Sequence, residues 1–272
     1  MSSPEIVRAQ AFSLEQVNYR YPGSESGVTG LDLTILEGER VVLLGANGSG
    51  KSTLLKILDG LLFPQSGTVR AFGRTLDEKS LNDEAFNLAF RQRVGFVFQN
   101  SESQLFSSSV WEEIAFGPLH LGLPEEEVRG RVAEVLELFG INGLEHRPPF
   151  RLSGGEKKRV ALASVVATNP SVLLLDEPTA ALDPRTQRWL VDMLVEFGRC
   201  GKTLVTATHD LDTIEEIADR VLVFGEDHCV LASGTPSEIL SDKDLLLRVN
   251  LIDPRFHKHT HGGGHRHYHI HD

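Results

Sequence analysis

The segment from Gly45 to Ser52 constrains the fold of this chain more than any other. It reads Gly-Ala-Asn-Gly-Ser-Gly-Lys-Ser and stands between the apolar run 41–44 and a stretch with apolar residues at helical spacing. A continuous apolar run predicts a strand that is buried on both faces of a parallel sheet. Glycines allow the following loop to curl so that its N–H groups point at phosphate oxygens. The order strand, loop, helix therefore predicts an α/β sheet with a phosphate-binding loop at its edge.

Composition restricts the class of protein. The 272 residues suffice for one large α/β domain or two small ones, and 40% hydrophobic with 24% charged residues is typical of soluble globular proteins. No run of about 18 apolar residues occurs, and the N-terminus lacks the basic start of a secretory signal. The net charge of −11 argues against general nucleic-acid binding. Two isolated cysteines, Cys200 and Cys229, fit a reducing compartment.

Apolar periodicity divides the chain into alternating strands and helices. Strands are expected at 12–21, 31–36, 41–44, 94–98, 172–175, 203–207 and 220–224. Helices are expected at 51–62, 124–139, 154–168, 184–198 and 211–218. Because buried strands alternate with helices, the pattern predicts a parallel α/β sheet.

Polar side chains that suit phosphoryl chemistry follow the buried strands. In the glycine-rich loop, Lys51 is placed for the β- and γ-phosphates and Ser52 for Mg²⁺. The candidate nucleotide-binding residues of this segment are Gly45, Asn47, Gly48, Ser49, Gly50, Lys51, Ser52 and Thr53. Asp176, Glu177, Gln99 and His209 each follow a core strand, and ligands of open α/β sheets bind at these strand ends.

A third segment, Leu152-Ser153-Gly154-Gly155-Glu156, lies between the loop and the carboxylate pair in the chain. This order of motifs resembles the ATPase subunit of ABC transporters, and the resemblance spans about residues 12–240. It implies the ABC ATPase fold, with a P-loop NTPase-type parallel-sheet core, an inserted helical subdomain at about 100–168 and an N-terminal antiparallel β subdomain. The ATPase domain is expected to span residues 8–250. The cofactors implied are ATP and Mg²⁺.

The resemblance also implies a role for each matching residue at the strand ends. Asp176 would coordinate Mg²⁺ through water, and Glu177 would polarise the attacking water. His209 would sense the γ-phosphate. Gln99 would contact Mg²⁺ or water and couple the site to a membrane partner. The implied magnesium set is Ser52, Gln99 and Asp176.

Other implied contacts involve the adenine and a second subunit. Tyr21 matches the aromatic residue that stacks on adenine, with Tyr19 as the alternative two residues away. Ser153, Gly154 and Gly155 open a helix whose N–H groups and dipole suit an anion, and they would close on the γ-phosphate held by the opposite subunit. Asp183 lies in the segment that would cross the dimer interface, and it also suits a helix N-cap before Pro184.

Residues after Gln99 point to one branch of the family. Gln99-Asn100-Ser101-Glu102-Ser103-Gln104-Leu105-Phe106, with Ala115-Phe116-Gly117-Pro118 downstream, resembles the energy-coupling-factor importers of vitamins and of nickel or cobalt. That branch usually has proline and aspartate where this chain has Ser101 and Glu102. Glu156 replaces a commoner glutamine and keeps a hydrogen-bond acceptor of similar length.

Histidines alternate with other residues at the end of the chain, in a segment (257–272) expected to be a flexible tail outside the fold. They are His257, His259, His261, His265, His267, His269 and His271. Alternate residues of an extended chain share one face, and imidazole suits nickel, cobalt, copper and zinc. The tail is therefore a candidate Ni²⁺ or Co²⁺ site. The alternatives are a disordered polar end and an expression tag.

Taken together, the sequence predicts the ATP-hydrolysing, energy-coupling subunit of a membrane importer, with nickel or cobalt as the first substrate candidate. A vitamin importer and a soluble ABC-type ATPase with a metal-storage tail are the alternatives. The expected partners are a second ATPase subunit, identical or paralogous, and transmembrane coupling and substrate-specific subunits. No nucleic-acid partner is expected. The chain is expected at the cytoplasmic face of the cell membrane as a peripheral protein.

Overall fold

A six-stranded sheet carries the glycine-rich loop at one edge, and a four-stranded sheet packs beside it. The computed structural model describes residues 8–24, 26–253, 256–260 and 266–270, the last two ranges by their backbone. The strands of the two sheets are β1 (Gln10–Arg20), β2 (Gly27–Leu36), β3 (Arg40–Leu44), β4 (Ser66–Ala71), β5 (Arg74–Thr75), β6 (Val94–Val97), β7 (Val172–Asp176), β8 (Thr203–Thr208), β9 (Arg220–Phe224) and β10 (Val230–Gly234).

The helices lie around the larger sheet. They are α1 (Lys51–Leu58), α2 (Glu78–Leu81), α3 (Glu84–Arg93), α4 (Val110–His120), α5 (Glu125–Leu138), α6 (Gly154–Val166), α7 (Pro184–Arg199), α8 (Ile214–Ile217), α9 (Pro236–Ser241) and α10 (Lys243–Arg248). Two 3₁₀ turns, Ser101–Ser103 and Pro149–Arg151, lie in the segment where a helical insert is expected. Among the described residues, no helix is long and apolar enough to cross a membrane.

The order of strands in the larger sheet is β10-β9-β3-β8-β7-β6. Its five strands from β9 to β6 pair in parallel, and β10 adds an antiparallel edge. The smaller sheet is antiparallel, with the order β2-β1-β4-β5. Both the parallel core and the N-terminal antiparallel sheet are thus confirmed.

Strand β3 shows why the apolar runs mark the centre of the fold. Val42 and Leu44 pack into the core cluster beneath α4 to α7, whereas Val41 and Leu43 pack into the cluster beneath α1 and the antiparallel sheet. Because successive side chains of a strand point to opposite faces, a strand between two such cores must be apolar at every position. All four residues are at most 1% exposed.

Two predicted helices are shorter in the structure. Helix α1 ends at Leu58 and not at 62, because Gly60 has φ +69° and closes the helix end, which leaves Leu61 46% exposed. Helix α8 covers only Ile214–Ile217 of the expected 211–218. Before it, the Asp210 carboxylate accepts the N–H of Asp212 at 3.0 Å, and such local side-chain bonds compete with helix formation.

The histidine-rich tail forms a separate two-stranded antiparallel sheet, β11 (Phe256–Thr260) with β12 (Arg266–Ile270). Its register places His257 opposite His269 and His259 opposite His267. His261, His265 and His271 lie outside the described residues.

Candidate functional site

The carboxyl ends of four adjacent strands meet at one edge of the larger sheet. Strands β3, β8, β7 and β6 are neighbours and run parallel. They lead respectively into the glycine-rich loop, His209, the Asp176-Glu177 pair and Gln99. A cavity of about 390 Å³ opens here, and it is lined by Ser26, Asn47, Gly48, Gly50, Lys51, Ser52, Thr53, Gln99 and Glu177. The structure therefore brings most of the predicted nucleotide-binding residues together.

The backbone of the loop requires glycine at Gly50. Its φ is +109°, and a Cβ there would lie 2.3 Å from the carbonyl oxygen of Gly27. This close approach presses the start of β2 against the loop. As a result, Ser26, just before β2, lines the same cavity.

Lys51 supplies the positive charge of the cavity. Its ammonium donates to the carbonyl oxygens of Gly45 and Ala46 at 2.8 and 3.0 Å, and the residue is 5% exposed. Burial lowers the pKa of Lys51, while the carboxylates of Glu177 and Asp176 act in the opposite direction. The lysine side chain is flexible, so its ammonium can turn from these carbonyl oxygens to phosphate oxygens.

Ser52 and Asp176 fit a magnesium ion. The Ser52 hydroxyl donates to Asp176 Oδ1 at 2.9 Å, so a hydroxyl and a carboxylate oxygen point to one spot, and such oxygens are the ligands that Mg²⁺ prefers. Burial raises the pKa of Asp176, with Glu177 adding to the effect and the hydrogen bond from Ser52 and the charge of Lys51 opposing it. A cation at this place would favour the ionised carboxylate. Gln99 lines the same cavity.

Ser49 adds a further polar group to the loop. Its hydroxyl is buried and makes no hydrogen bond to another described residue. Buried hydroxyl groups nearly always have partners. The unpaired hydroxyl therefore fits a loop that is shaped around an oxygen-rich ligand.

Glu177 lies at the centre of the site with a strained backbone. Its φ is +43°, an unusual value for a non-glycine residue and one that clusters at functional sites. Its N–H donates to the carbonyl oxygen of Ala207 at 2.9 Å, which holds this conformation. The carboxylate is 2.9 Å from His209 Nδ1 and 3.9 Å from Lys51 Nζ. Glu177 and His209 are thus in direct contact.

The Ser153-Gly154-Gly155 segment begins helix α6, away from the cavity lining. The Glu156 side chain accepts from the N–H and the hydroxyl of Ser153, both at 2.8 Å, and the pKa of Glu156 is lowered by these bonds. This capping box is formed by the glutamate that replaces the usual glutamine. Ser153 and Gly154 are exposed, and a Cβ on Gly154 would meet nothing within 4 Å.

Two further candidates, Tyr21 and Asp183, are not among the residues that line the cavity. Tyr21 donates its N–H to the carbonyl oxygen of Ser26 at 3.1 Å, so its turn is joined to the cavity edge. Tyr19 contacts Tyr21 edge-on and also packs against the core, which gives Tyr19 a structural task. Asp183 caps α7 by accepting the N–H groups of Arg185 and Thr186 at 3.0 and 3.1 Å. The N-cap prediction is therefore confirmed.

Sequence reasoning missed two residues of the site region, Ser26 and Lys158. Ser26 lies in a turn that carries no distinctive pattern. Lys158 is 3% exposed, and burial lowers its pKa to about 8 although Asp176 and Glu177 favour its charged form. Lys158, Leu162 and Val166 are buried at helical spacing on α6. A lysine within this apolar stripe is the signal that could have identified it.

Comparison with known proteins identifies ATP-binding proteins, in agreement with the phosphate-binding loop and the cavity described above. The family model described as ABC transporter matches residues 28–180. A putative ABC transporter ATP-binding protein of Methanosarcina acetivorans is 49% identical over 251 residues, 91% of each chain. The nickel import ATP-binding protein NikO of Rhodobacter capsulatus is 54% identical over 245 residues, 89% of this chain and 96% of that protein.

Solved structures agree with the fold. CbiO1 from Clostridium perfringens, described as part of the ABC transporter complex cbiONQ, has a TM-score of 0.75 and 38% identity, with 91% of this chain and 97% of that chain covered. A dimeric ATP-binding cassette, MJ0796, bound to ADP and Pi has a TM-score of 0.73 and 29% identity, with 83% and 98% covered.

The fold and the site together define an ATP-binding cassette. The chain belongs to the ABC transporter ATP-binding family and is an ATPase. An energy-coupling factor transporter ATP-binding protein, EcfA of Methanothermobacter thermautotrophicus, is 45% identical over 242 residues, 89% of this chain and 76% of that protein. More particularly, the chain is therefore an ATP-binding subunit of the energy-coupling-factor type.

Proposed function

We propose that this chain is the ATP-hydrolysing, energy-coupling subunit of an importer for nickel or cobalt. The observation that carries this proposal is the 54% identity to a nickel import ATP-binding protein over nearly the full length of both chains. The likeness to CbiO1, which is part of an ABC transporter complex, covers 91% of this chain and supports the role as a transporter subunit.

In the proposed reaction, water attacks the γ-phosphorus of ATP and yields ADP and phosphate. The Glu177 carboxylate orients the water and accepts its proton, since it is buried at the strand end beside the loop. Lys51 leaves its carbonyl partners to hold charge on the β- and γ-phosphates. His209 keeps Glu177 oriented through the 2.9 Å contact and is itself half exposed, within reach of the γ-phosphate. A magnesium ion held by Ser52, Asp176 and Gln99 would neutralise phosphate charge.

The site is proposed to be completed by a second copy or a close paralogue. Ser153 and Gly154 begin a 13-residue helix, are exposed and do not line the chain's own cavity. The free N–H groups and the dipole of such a helix start suit an anion. With Gly155, they are proposed to close on the γ-phosphate bound by the opposite subunit, where Asp183 and its neighbours would cross the interface.

The transmembrane coupling subunit is proposed to dock beside Gln99, at the cytoplasmic face of the membrane. Three apolar residues there are strongly exposed: Phe106 (67%), Phe116 (49%) and Leu119 (49%). The buried carboxylate of Glu113 accepts the N–H groups of Phe106 and Ser107 at 2.9 and 2.7 Å, which fixes the loop that presents Phe106. Phe106 and Phe116 are in edge-on contact, with ring centroids 4.9 Å apart, and an exposed apolar surface of this kind suits a partner helix.

The tail is proposed to bind Ni²⁺ or Co²⁺. Because His257 pairs with His269 and His259 with His267, these four residues fall at register positions on one face of the two-stranded sheet. Among the described side chains, no group of three or more His, Cys, Asp or Glu is placed to hold a metal, so the proposal depends on the register and the residue type. Its task is storage, sensing or delivery of the metal.

Uptake measurements test the proposed substrate. The gene is deleted in its host, and cellular uptake of radioactive nickel, cobalt and biotin is measured before and after complementation. We expect nickel or cobalt uptake to fall and to be restored by the wild-type chain but not by Glu177→Gln. Biotin uptake serves as the control and should not change. Loss of biotin uptake with unchanged metal uptake would contradict the proposal.

A further inference from the structure

Two consecutive lysines of helix α6 reach the loop that follows strand β6. The Lys158 ammonium lies 3.4 Å from the carbonyl oxygens of both Phe98 and Gln99. The Lys157 ammonium forms an ion pair with the carboxylate of Glu102 in the same loop. Helix α6 is therefore tied to this loop, residues 98–102, at two points.

The two tied segments belong to different halves of the proposed catalytic arrangement. Gln99 lines the chain's own nucleotide cavity. It also lines a second cavity of about 350 Å³, together with Gly154 and Lys158. Gly154 belongs to the helix start that would serve the opposite subunit. Gln99 thus lies between the nucleotide cavity and the helix start at Gly154. Lys158 lines the second cavity, which Gln99 and Gly154 share.

The two ties differ in strength. The Lys157 side chain is 17% exposed and that of Glu102 67% exposed, and such surface ion pairs contribute little to stability and break easily. Lys158 is 3% exposed, so removal of its hydrogen bonds would leave a buried polar group without partners, which is costly. Lys158 is therefore the buried tie, and the Lys157–Glu102 pair is the more exposed one.

We propose that Lys158 is a positioning residue for Gln99, and that with the Lys157–Glu102 pair it makes the 98–102 loop and the start of α6 move as one unit. The start of α6 that is tied in this way is the one proposed to face the opposite subunit. This inference rests on the proposed shared site. It also gives a task to Glu102, one of the two residues that differ from the usual sequence of the branch.

Steady-state kinetics of the full chain test the proposal. We expect Lys158→Met, which keeps a long side chain and removes the ammonium, to lower kcat by about tenfold or more while the KM for ATP changes little. Lys158→Arg should recover much of the lost kcat, because a guanidinium can also donate to the two carbonyl oxygens. A wild-type kcat in Lys158→Met, or a loss that Lys158→Arg does not recover, would overturn the proposal.

The exposed pair provides a second test that does not depend on a buried substitution. We expect Lys157→Ala and Glu102→Ala each to lower kcat, and the double variant to be no worse than either single variant. The control is the Glu125–Arg129 pair on α5, whose glutamate is 71% exposed against 67% for Glu102, and Glu125→Ala should keep the wild-type kcat. Additive losses in the double variant would contradict the linkage. A wild-type chain without ATPase activity would instead refute the proposed function.

Discussion

At the scale of single residues, the chemistry depends on how Glu177 is held. Its backbone is strained at φ +43°, its side chain is 4% exposed, and Lys51 and His209 flank its carboxylate. Such strain persists only where the surroundings fix it, and the hydrogen bond to Ala207 provides this support. This fixed position supports the proposed role of Glu177 as the base that acts on one water molecule.

Glu177→Gln should lower ATP turnover by about 10²–10⁴-fold, because the amide keeps the shape of the side chain but cannot accept a proton. ATP binding should persist, so the variant should retain nucleotide and accumulate as a closed dimer in gel filtration with ATP and Mg²⁺. Glu113→Gln is the matched control, since Glu113 is 3% exposed and lies on α4. Turnover at the wild-type rate in Glu177→Gln would refute the role of the base.

The site residues could be predicted because each follows a recognisable strand. Gln99, Glu177 and His209 lie at one edge of the sheet, because the carboxyl ends of neighbouring parallel strands meet at the same edge. Lys158 could not be placed in this way. Its contacts with the 98–102 loop are tertiary, and a lysine near a helix start is usually solvated.

At the scale of elements, prediction succeeded where burial dictates the pattern. Strand β3 is apolar from Val41 to Leu44 and β7 from Val172 to Leu175, because both faces of these runs are covered. Most of the elements between residues 8 and 250 that the sequence pattern did not reveal are short or half exposed. They are β4, β5, β10, α2, α3, α9 and α10, together with α4, for which the expected helical insert gave no bounds. Short amphipathic segments contain too few residues for a period to emerge. The predicted end of α1 was wrong because the turn at Gly60 closes the helix early. The predicted start of α8 was wrong because the hydrogen bond between Asp210 and Asp212 competes with helix formation.

The tail is an element whose function can be separated from the rest. Deletion of residues 257–272 should remove Ni²⁺ or Co²⁺ binding in calorimetry and leave basal ATP hydrolysis near wild type, because the described residues that line the cavity all precede the tail. Metal should be released as the pH falls below about 6.5, the ordinary pKa of imidazole, since protonated histidines cannot bind it. Equal metal binding by the truncated and the full chain would show that the tail is only a polar end. Loss of ATP hydrolysis on truncation would contradict the domain boundary.

At the scale of the whole molecule, the sheet separates two cores and presents one edge for nucleotide. The cavity at that edge is lined by residues of the glycine-rich loop, by Gln99 and by Glu177, whereas the Ser153 segment is not part of its lining. Under the proposed function, one chain therefore contains two unlike halves of a site. Two copies related by twofold symmetry would combine them into two complete sites.

Mixing two inactive variants tests this shared site most directly. Lys51→Ala should lose phosphate binding but still offer an intact Ser153 segment. Ser153→Arg should bind ATP as a monomer but block its partner's site. Each variant alone should be inactive, and a mixed dimer contains one complete site. With random pairing, an equimolar mixture should regain about one quarter of the wild-type ATP hydrolysis rate. A mixture no more active than either variant alone would contradict a site shared between two copies of this chain.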